Sequence, residues 1–292
     1  MGMLADRILK NARHLRKWGR RQGFTCLRLY DHDIPQYPLS LDDYEGHLLV
    51  TLSQGCQAGE EELQSEAACL DPVEVVFKQR GSATESRLNP EKAFVIHEGD
   101  LRFEINLHGY QDSGLFLDHR LTRRRIGQHA SGRRLLNLFC YTASFSVAAA
   151  AGGADSVTSV DLSATYLEWG RRNFLCNRLR PDDHRWIQAD ILQWLPQAIE
   201  AGERYDCIVC DPPTFSNSKR MRQTFEVQRC HGPLMEDLLK LLAPGGELFF
   251  SCNDRGFRLD PRLPLREITS QTRSEDFRRG SGHRCWYYTK DS

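Results

Sequence analysis

The sequence predicts an α/β fold: a Rossmann-like, doubly wound parallel sheet preceded by a small α+β accessory domain. Three observations carry this. From about residue 135 to 251, short apolar runs alternate with helix-length segments, the pattern of right-handed βαβ crossovers. Three of four successive runs end in a carboxylate, at Asp161, Asp190 and Asp211. Before residue 110 the runs are separated by hairpin and loop signals instead. The expected division is therefore an accessory domain over 1–109 and the doubly wound domain over 110–292.

Composition sets the outer bounds. The 292 residues suffice for two domains. Lys+Arg and Asp+Glu are 39 each, so any nucleic-acid affinity must come from how charge is distributed. No apolar run approaches the roughly 20 residues that span a bilayer. The Arg/Lys-rich start is followed by no apolar core of a signal peptide. The ten cysteines show no framework spacing and read as reduced, mostly interior thiols of a cytoplasmic protein. Cys207 and Cys210 form the one C-x-x-C, but on one strand their side chains alternate to opposite faces. No metal site is expected.

In chain order, residues 4–21 read as an amphipathic helix with Leu4, Ile8, Leu15 and Trp18 at helical spacing. Arg7, Lys10, Arg13, Lys17, Arg20 and Arg21 fall on its remaining surface, either a solvated face or a phosphate-contacting one. Gly23 ends it. Runs at 26–30, 37–41 and 46–52 are strand-like, with Asp42-Asp43 marking a hairpin. An acidic helix at 59–70, a strand at 73–78, a polar loop at 79–92 and a hairpin over 93–97 and 101–107 complete an accessory domain of helices and antiparallel strands.

A helix at 120–128 carries Arg120, Arg123, Arg124 and Arg125, read as a basic patch. Strands then fall at 135–139, 156–160, 185–189, 205–210 and 247–251. Helices fall at 142–151, 164–177, 191–201 and 224–242, the last with Leu234, Leu238, Leu241 and Leu242 on one face. Pro244-Gly245-Gly246 turns the chain into the strand at 247–251. Segments 266–272 and 283–289 offer an antiparallel edge hairpin.

In such sheets ligands bind at the carboxyl ends of the strands. Asp161, about 20 residues past the first turn, suits a ribose diol. Asp190 suits an adenine amine, and the helix opening near Thr142 suits a carboxylate. Each Asp alone also suits a helix N-cap. A nicotinamide dinucleotide demands glycines in the first turn. Residues 140–146 have none, and Ala143 stands where a glycine would be expected.

The run 207–210 is a buried strand broken by Asp211-Pro212-Pro213-Thr214-Phe215-Ser216. An acid, two prolines and a nearby aromatic ring resemble motif IV of S-adenosylmethionine-dependent methyltransferases that act on bases. With Asp112–Arg120, with Leu136-Asn137-Leu138-Phe139-Cys140-Tyr141-Thr142 and with Asn217-Ser218-Lys219-Arg220-Met221, nearly the whole chain resembles the bacterial 23S ribosomal RNA guanine-N7 methyltransferase domain of the RlmK type. That domain is often the C-terminal half of a fused RlmK/L protein. The chain is more distantly similar to RlmI-type cytosine-C5 enzymes. The resemblance implies a class I methyltransferase sheet and S-adenosylmethionine as cofactor. It implies cofactor contacts from Phe116, Asp118, Asn137, Phe139, Tyr141, Thr142, Asp161, Asp190 and Asp211. The catalytic set would be Asp211, Pro212, Pro213 and Phe215, and the RNA contacts Arg120, Arg124, Lys219 and Arg220. The partners implied are 23S ribosomal RNA, or a large-subunit precursor, and an RlmL-type N2-guanine methyltransferase domain.

Guanine N7 carries an in-plane lone pair and needs no deprotonation, so positioning can supply most of the catalysis. Phe215 is a stacking face for a splayed base, and Lys219 and Arg220 suit phosphate or guanine O6. The rival chemistry is cytosine-C5 methylation with Cys252 as nucleophile. A third reading, supported by Ala143 alone, is an inactive fold kept as an RNA-binding module.

Overall fold

The computed structural model describes residues 2–81, 90–109, 112–217, 224–278 and 282–291. Two compact units emerge, Met1–Leu117 with Ser274–Ser281, and Asp118–Arg273 with Gly282–Ser292. The division falls downstream of the 109/110 boundary read from sequence, and the first unit takes back a segment from near the chain's end.

The first unit opens with helix α1 (Met3–Gln22), which buries Leu4, Ala5, Ile8, Ala12, Leu15 and Gly19 and ends at a left-handed Gly23. Strands β1 (Leu27–Asp31), β2 (Leu39–Tyr44) and β3 (His47–Leu52) follow. Helix α2 (Glu60–Ala67) leads to β4 (Glu74–Gln79) in the four-stranded order β1-β2-β3-β4. The β2–β3 hairpin turns where Asp43 accepts the Gly46 N–H at 2.7 Å. The sheet is not wholly antiparallel as expected: β3 and β4 are parallel. A helix between two strands gives the chain the length to return in the same direction, so β3-α2-β4 is a crossover. Strands β5 (Phe94–Glu98) and β6 (Leu101–Ile105) form a separate hairpin. Arg28 ties the returning segment in. Its guanidinium grips Asp42 through two bonds of 2.7 and 2.8 Å and lies over Phe277, while its N–H donates to Asp276. Of the polar loop at 79–92, residues 82–89 lie outside the described residues.

The second unit runs α3 (Arg120–Gln128), β7 (Arg134–Leu138), α4 (Ser144–Ala151), β8 (Ser156–Asp161), α5 (Ala164–Cys176), β9 (Arg185–Gln188), α6 (Ile191–Glu200) and β10 (Tyr205–Cys210). A two-residue ribbon, β11 (Phe215–Ser216) and β12 (Phe225–Glu226), precedes α7 (Val227–Leu241), β13 (Leu242–Cys252), β14 (Arg266–Glu267), α8 (Thr269–Thr272) and β15 (Arg284–Thr289). The seven-stranded sheet has the order β14-β15-β13-β10-β7-β8-β9. All its neighbours are parallel except those of β15, which runs antiparallel to β13 and β14.

Strand alternation sorts the core into two layers. Leu136, Leu138, Ile208, Cys210, Leu248 and Phe250 pack with α6 and α7. Leu135, Val157, Cys207, Val209 and Phe249 pack with Ile126 of α3 and with Phe145 and Ala149 of α4. Cys207 and Cys210 therefore point to opposite layers, as alternation requires.

Four boundaries depart from the expected ones. Helix α4 begins at Ser144 rather than Thr142, because Phe139, Tyr141 and Ala143 are left-handed, with φ of 54°, 51° and 60°. Residues 224–226 are not helical, since Phe225–Glu226 pairs with Phe215–Ser216. The Pro244-Gly245-Gly246 turn is an irregularity inside β13: the β10 register jumps from Tyr205↔Leu242 to Cys207↔Glu247. Residues 269–272 are helix, not strand. There the Thr269 hydroxyl accepts the Cys285 N–H at 3.0 Å and donates to Glu267, so a side chain replaces the ladder bond.

Helices α3 and α4 meet through glycine. A Cβ on Gly152 would lie 2.0 Å from the Gly127 carbonyl oxygen. Overpacking typically costs ~1–3 kcal/mol, and a clash with backbone that cannot rotate away belongs at or beyond the top of that range. Gly152→Ala is expected to lower the urea midpoint accordingly with the m value unchanged. A wild-type midpoint would show that the two helices separate without cost.

Candidate active site

The first turn of the sheet is the loop between β7 and α4. Left-handed backbone at a non-glycine residue is uncommon, and here it recurs at alternate positions, 139, 141 and 143. The loop is held by packing and by backbone acceptors. Tyr141 lies edge-on to Tyr166 with ring centroids 4.6 Å apart, and Phe139 lies 5.4 Å from Phe225. The Thr142 carbonyl accepts from buried Asn173 at 2.9 Å. Ala143 is fully buried among Cys140, Leu167 and Trp186. Its methyl group fits because residue 170 is glycine: a Cβ there would stand 2.8 Å from that of Ala143 and 2.8 Å from the Trp186 ring. The alanine that stands where glycine was expected is thus accommodated by a glycine on the facing helix. Ala143 is also the N-cap of α4 and supplies no side-chain cap. The first-turn donors of that helix are left for another acceptor.

The carboxylates follow along the same edge. Asp161 ends β8 and accepts the N–H groups of Tyr141 and Ser163, each at 2.9 Å. Burial pushes its carboxyl up from the usual range, against those backbone donors. Asp190 follows β9 and caps α6, accepting from Leu192 N–H at 3.1 Å and from the Gln193 amide at 2.8 Å. The helix-cap reading and the strand-end reading both describe Asp190. Asn137 does not face this edge: it is buried and donates to Ser146 of α4 at 2.9 Å.

The densest chemistry gathers at Asp211, beyond β10. Ser251 donates to its Oδ1 at 2.5 Å, and His119 Nε2 sits 3.2 Å from Oδ2. The His119 ring stacks on His283 at 3.8 Å between centroids and 14° between planes, with Phe145 edge-on at 5.3 Å. His283 is held in turn by Asp118, whose Oδ2 accepts its N–H at 2.9 Å and faces Nδ1 at 3.1 Å. Burial alone would raise the Asp118 and Asp211 carboxyls, but the imidazole partners hold both below the usual range. Burial alone would lower His119, but Asp211 and Asp118 pull it up. His283 goes down, through burial and the neighbouring His119 charge. The two imidazoles are therefore pushed in opposite directions, His119 up and His283 down, between two carboxylates held low.

One ligand atom from each of Asp118, His119 and His283 lies within 4.8 Å of the others. A cation is nevertheless a poor fit. Imidazole lone pairs lie in the ring plane, and two near-parallel rings 3.8 Å apart cannot both aim at one ion. Sequence reading passed over His119, His283 and Ser251. Ser251 was detectable in principle, since it ends a strand at the ligand edge and alternation turns it away from Cys252.

Of the remaining candidates, Pro212 is buried, Pro213 is exposed, and Phe215 is 57% exposed. Cys252 is 1% exposed within the α7-side layer, and burial pushes its thiol up to about 11. Phe116 is 40% exposed and belongs to the first unit. The basic-patch expectation needs correction. Arg120 and Arg123 are each 1% exposed and cannot present a charged surface, leaving Arg124 and Arg125 half-buried. Lys219 and Arg220 lie outside the described residues.

A model of the S-adenosylmethionine-dependent methyltransferases matches residues 32–279. The chain belongs to that family. Its sheet is the class I methyltransferase fold, and its cofactor is S-adenosylmethionine. The residues at the strand edge fit it. Part-exposed acceptor carboxylates at Asp161 and Asp190 suit the hydroxyl and amine donors of an adenosyl group, and the uncapped start of α4 suits a carboxylate. Among relatives, the ribosomal RNA large subunit methyltransferase K/L of Shewanella sp. MR-4 is 42% identical over 98% of this chain. The chain spans 43% of that protein's length. The ribosomal RNA large subunit methyltransferase K of Neisseria meningitidis MC58 is 42% identical, covering 97% of this chain and 85% of its own. Among solved structures, SMU.776 in complex with S-adenosylhomocysteine shares the fold with a TM-score of 0.80 at 22% identity, over 98% of this chain and 80% of its own. A SAM-dependent methyltransferase of Agrobacterium tumefaciens gives 0.65 at 17% identity, over 86% and 87%.

Gly170→Ala tests how the loop is held. Its methyl would collide with Ala143 and Trp186, so it is expected to cost ~1–3 kcal/mol in urea unfolding and to weaken S-adenosylhomocysteine binding measured by calorimetry. Adding Ala143→Gly should return part of both losses. Independent, additive effects would show that the two positions do not share one contact.

Proposed function

We propose that the chain is a ribosomal RNA methyltransferase that transfers a methyl group to N7 of a guanine in 23S RNA, working in the cytoplasm. The observation that carries this reading is the protonation pattern around Asp211. Ser251 and His119 engage both oxygens of the carboxylate and hold it low, while Asp211 and Asp118 push His119 up. A carboxylate held below its usual range is a poor general base. Such a site suits a nucleophile that already owns its lone pair, and guanine N7 is one. The cofactor supplies an electrophilic methyl group when bound. Phe215 offers an exposed face for a base turned out of its stack. The Pro212-Pro213 turn fixes how Asp211 and Phe215 leave the sheet, and Asp211 orients the base. Methylated guanine carries a positive charge on its imidazole ring, which the net negative Asp211 cluster favours. The names and 42% identity of the K and K/L relatives support the substrate class.

The cytosine-C5 alternative needs a thiolate. A thiol 1% exposed and pushed up to about 11 is a poor source of one. The relatives named K/L are more than twice as long as this chain, which supports a working association with an RlmL-type domain. The cofactor contacts proposed are Tyr141, Thr142, Asp161, Asp190 and Asp118, with Phe139 as an apolar neighbour. Asn137 would support the loop through Ser146. Arg124, Lys219 and Arg220 remain proposed RNA contacts, and Arg120 is set aside as buried.

We assign the main RNA contact of the first unit to α1. Lys10, Arg13, Lys17, Arg20 and Arg21 are all exposed along it. They span roughly 16 Å at 1.5 Å per residue, enough for several phosphates.

The decisive assay is methyl transfer from labelled S-adenosylmethionine to unmodified 23S RNA, followed by nucleoside mass analysis. Label is expected in 7-methylguanosine and should survive Cys252→Ser. Label in 5-methylcytidine that disappears with Cys252→Ser would overturn the reading. Phe215→Ala is expected to weaken RNA engagement by about 1–3 kcal/mol, the usual loss of one stacked base.

For α1, Lys17→Gln with Arg21→Gln should reduce the slope of log affinity against log salt by about 2, one per phosphate contact. An unchanged slope would remove the helix from the RNA interface.

A further inference from the structure

We infer that His119 is the positioning residue of the transfer site: with Ser251 it clamps the Asp211 carboxylate, and His283, held by Asp118, serves as the platform that fixes the His119 ring. The inference rests on the site reading above only in taking Asp211 to meet the substrate. Every link is geometric. Both Asp211 oxygens are engaged, Oδ1 by Ser251 at 2.5 Å and Oδ2 by His119 at 3.2 Å. A carboxylate gripped at both ends cannot rotate about its terminal bond, so whatever it orients is held in one pose. His119 is fixed from two sides, by the stack with His283 at 3.8 Å and by the edge contact with Phe145 at 5.3 Å. His283 is fixed by two contacts to one oxygen of Asp118.

Five separate pieces of backbone contribute: the turn before α3, the start of α4, the ends of β10 and β13, and the start of β15. The arrangement therefore exists only when the sheet is fully assembled, antiparallel strand included. Such a supporting layer keeps a reacting group within fractions of an ångström of its productive place.

The stack also dictates protonation. Two buried rings in parallel contact disfavour a double charge, and the carboxylate against His119 Nε2 directs the proton toward that ring rather than His283. The groups facing His119 agree with this. Asp211 and Asp118 favour the charge, while His283 is itself pushed down, Phe145 and Ser251 are uncharged, and Arg123 opposes it. The sign follows. A group whose acidity is weakened on folding keeps its paired form below the raised value and loses it as pH rises through that value. The charged His119–Asp211 pair is thus fully present below the ordinary histidine range and is lost as pH rises through the raised value.

The test compares His119→Leu with His119→Gln, whose amide can still donate to Asp211, on the full chain. S-adenosylhomocysteine affinity and the urea midpoint are measured beside single-turnover methyl transfer. His119→Leu is expected to lower the transfer rate about tenfold to a hundredfold, as misplacement of a reacting group does, with cofactor affinity near wild type. His119→Gln should recover most of the rate and lack the alkaline fall expected of wild type. Equal rates for wild type and His119→Leu would overturn the proposal. So would His119→Gln failing as badly as His119→Leu while folded.

If the wild-type chain transfers no methyl group to any ribosomal RNA, the proposed function fails and a second measurement decides this inference. Ring nitrogen shifts of the histidines should show His119 protonated and His283 neutral at pH 7. Asp211→Asn should move the His119 titration to lower pH. An unmoved titration would overturn the pairing.

Discussion

The second unit is organised around one contact, the buried His119 imidazole against the partly exposed Asp211 carboxylate. Removing two ions from water costs several kcal/mol each, and their attraction offsets that only with good geometry and filled remaining hydrogen-bonding positions. Here Ser251 fills the second oxygen of Asp211, and His283, held by Asp118, packs over the His119 ring, whose Nδ1 is buried without a hydrogen-bond partner. Because the partners come from the segment before α3 and from the ends of β10, β13 and β15, the fold has little freedom to move any of these ends separately. The sheet order is therefore more than a scaffold. It is the condition under which the contact can form at all.

Much of this architecture was legible in the sequence because two periodicities run through it. The apolar alternation of 207–210, split between layers in the structure, identified β10 and the separation of Cys207 from Cys210. The helical spacing of Leu234, Leu238 and Leu241 identified α7 and its buried face. The places where reading stopped short share one cause, a side chain or backbone bond set by distant partners. Thr269 satisfies a strand N–H with its hydroxyl, so a β-like stretch becomes helix. Asp118 and His283 are 165 positions apart, and no local pattern connects them. The crossover β3-α2-β4 is a different case, since a strand-helix-strand run already implied parallel pairing.

The first turn shows how a departure from a family pattern can be absorbed. A left-handed conformation without glycine carries a strain of order 1–2 kcal/mol at a single residue. At Ala143 it is tolerated because the methyl group is buried against Gly170 and Trp186, turning a backbone penalty into packing. Loss of the expected glycine is thus weak support for an inactive fold, because the loop that should cradle the cofactor remains tightly specified.

Ser251 and Cys252 are neighbours on β13, and sheet alternation assigns one to Asp211 and the other to the core. Register alone decides which of the two meets the carboxylate, since a slip of one residue exchanges the faces. The register is pinned on both sides, by β10 and by six residue pairs with β15. Upstream, however, the Pro244-Gly245-Gly246 irregularity is a place where the chain can gain or lose a residue without disturbing those pairs. A one-residue slip of β13 against both partners would exchange its faces and set the Cys252 sulfur, in place of the Ser251 oxygen, against Asp211. One sheet edge could in this way offer the Asp211 carboxylate either a hydroxyl or a thiol neighbour through a change of register, without building a new site.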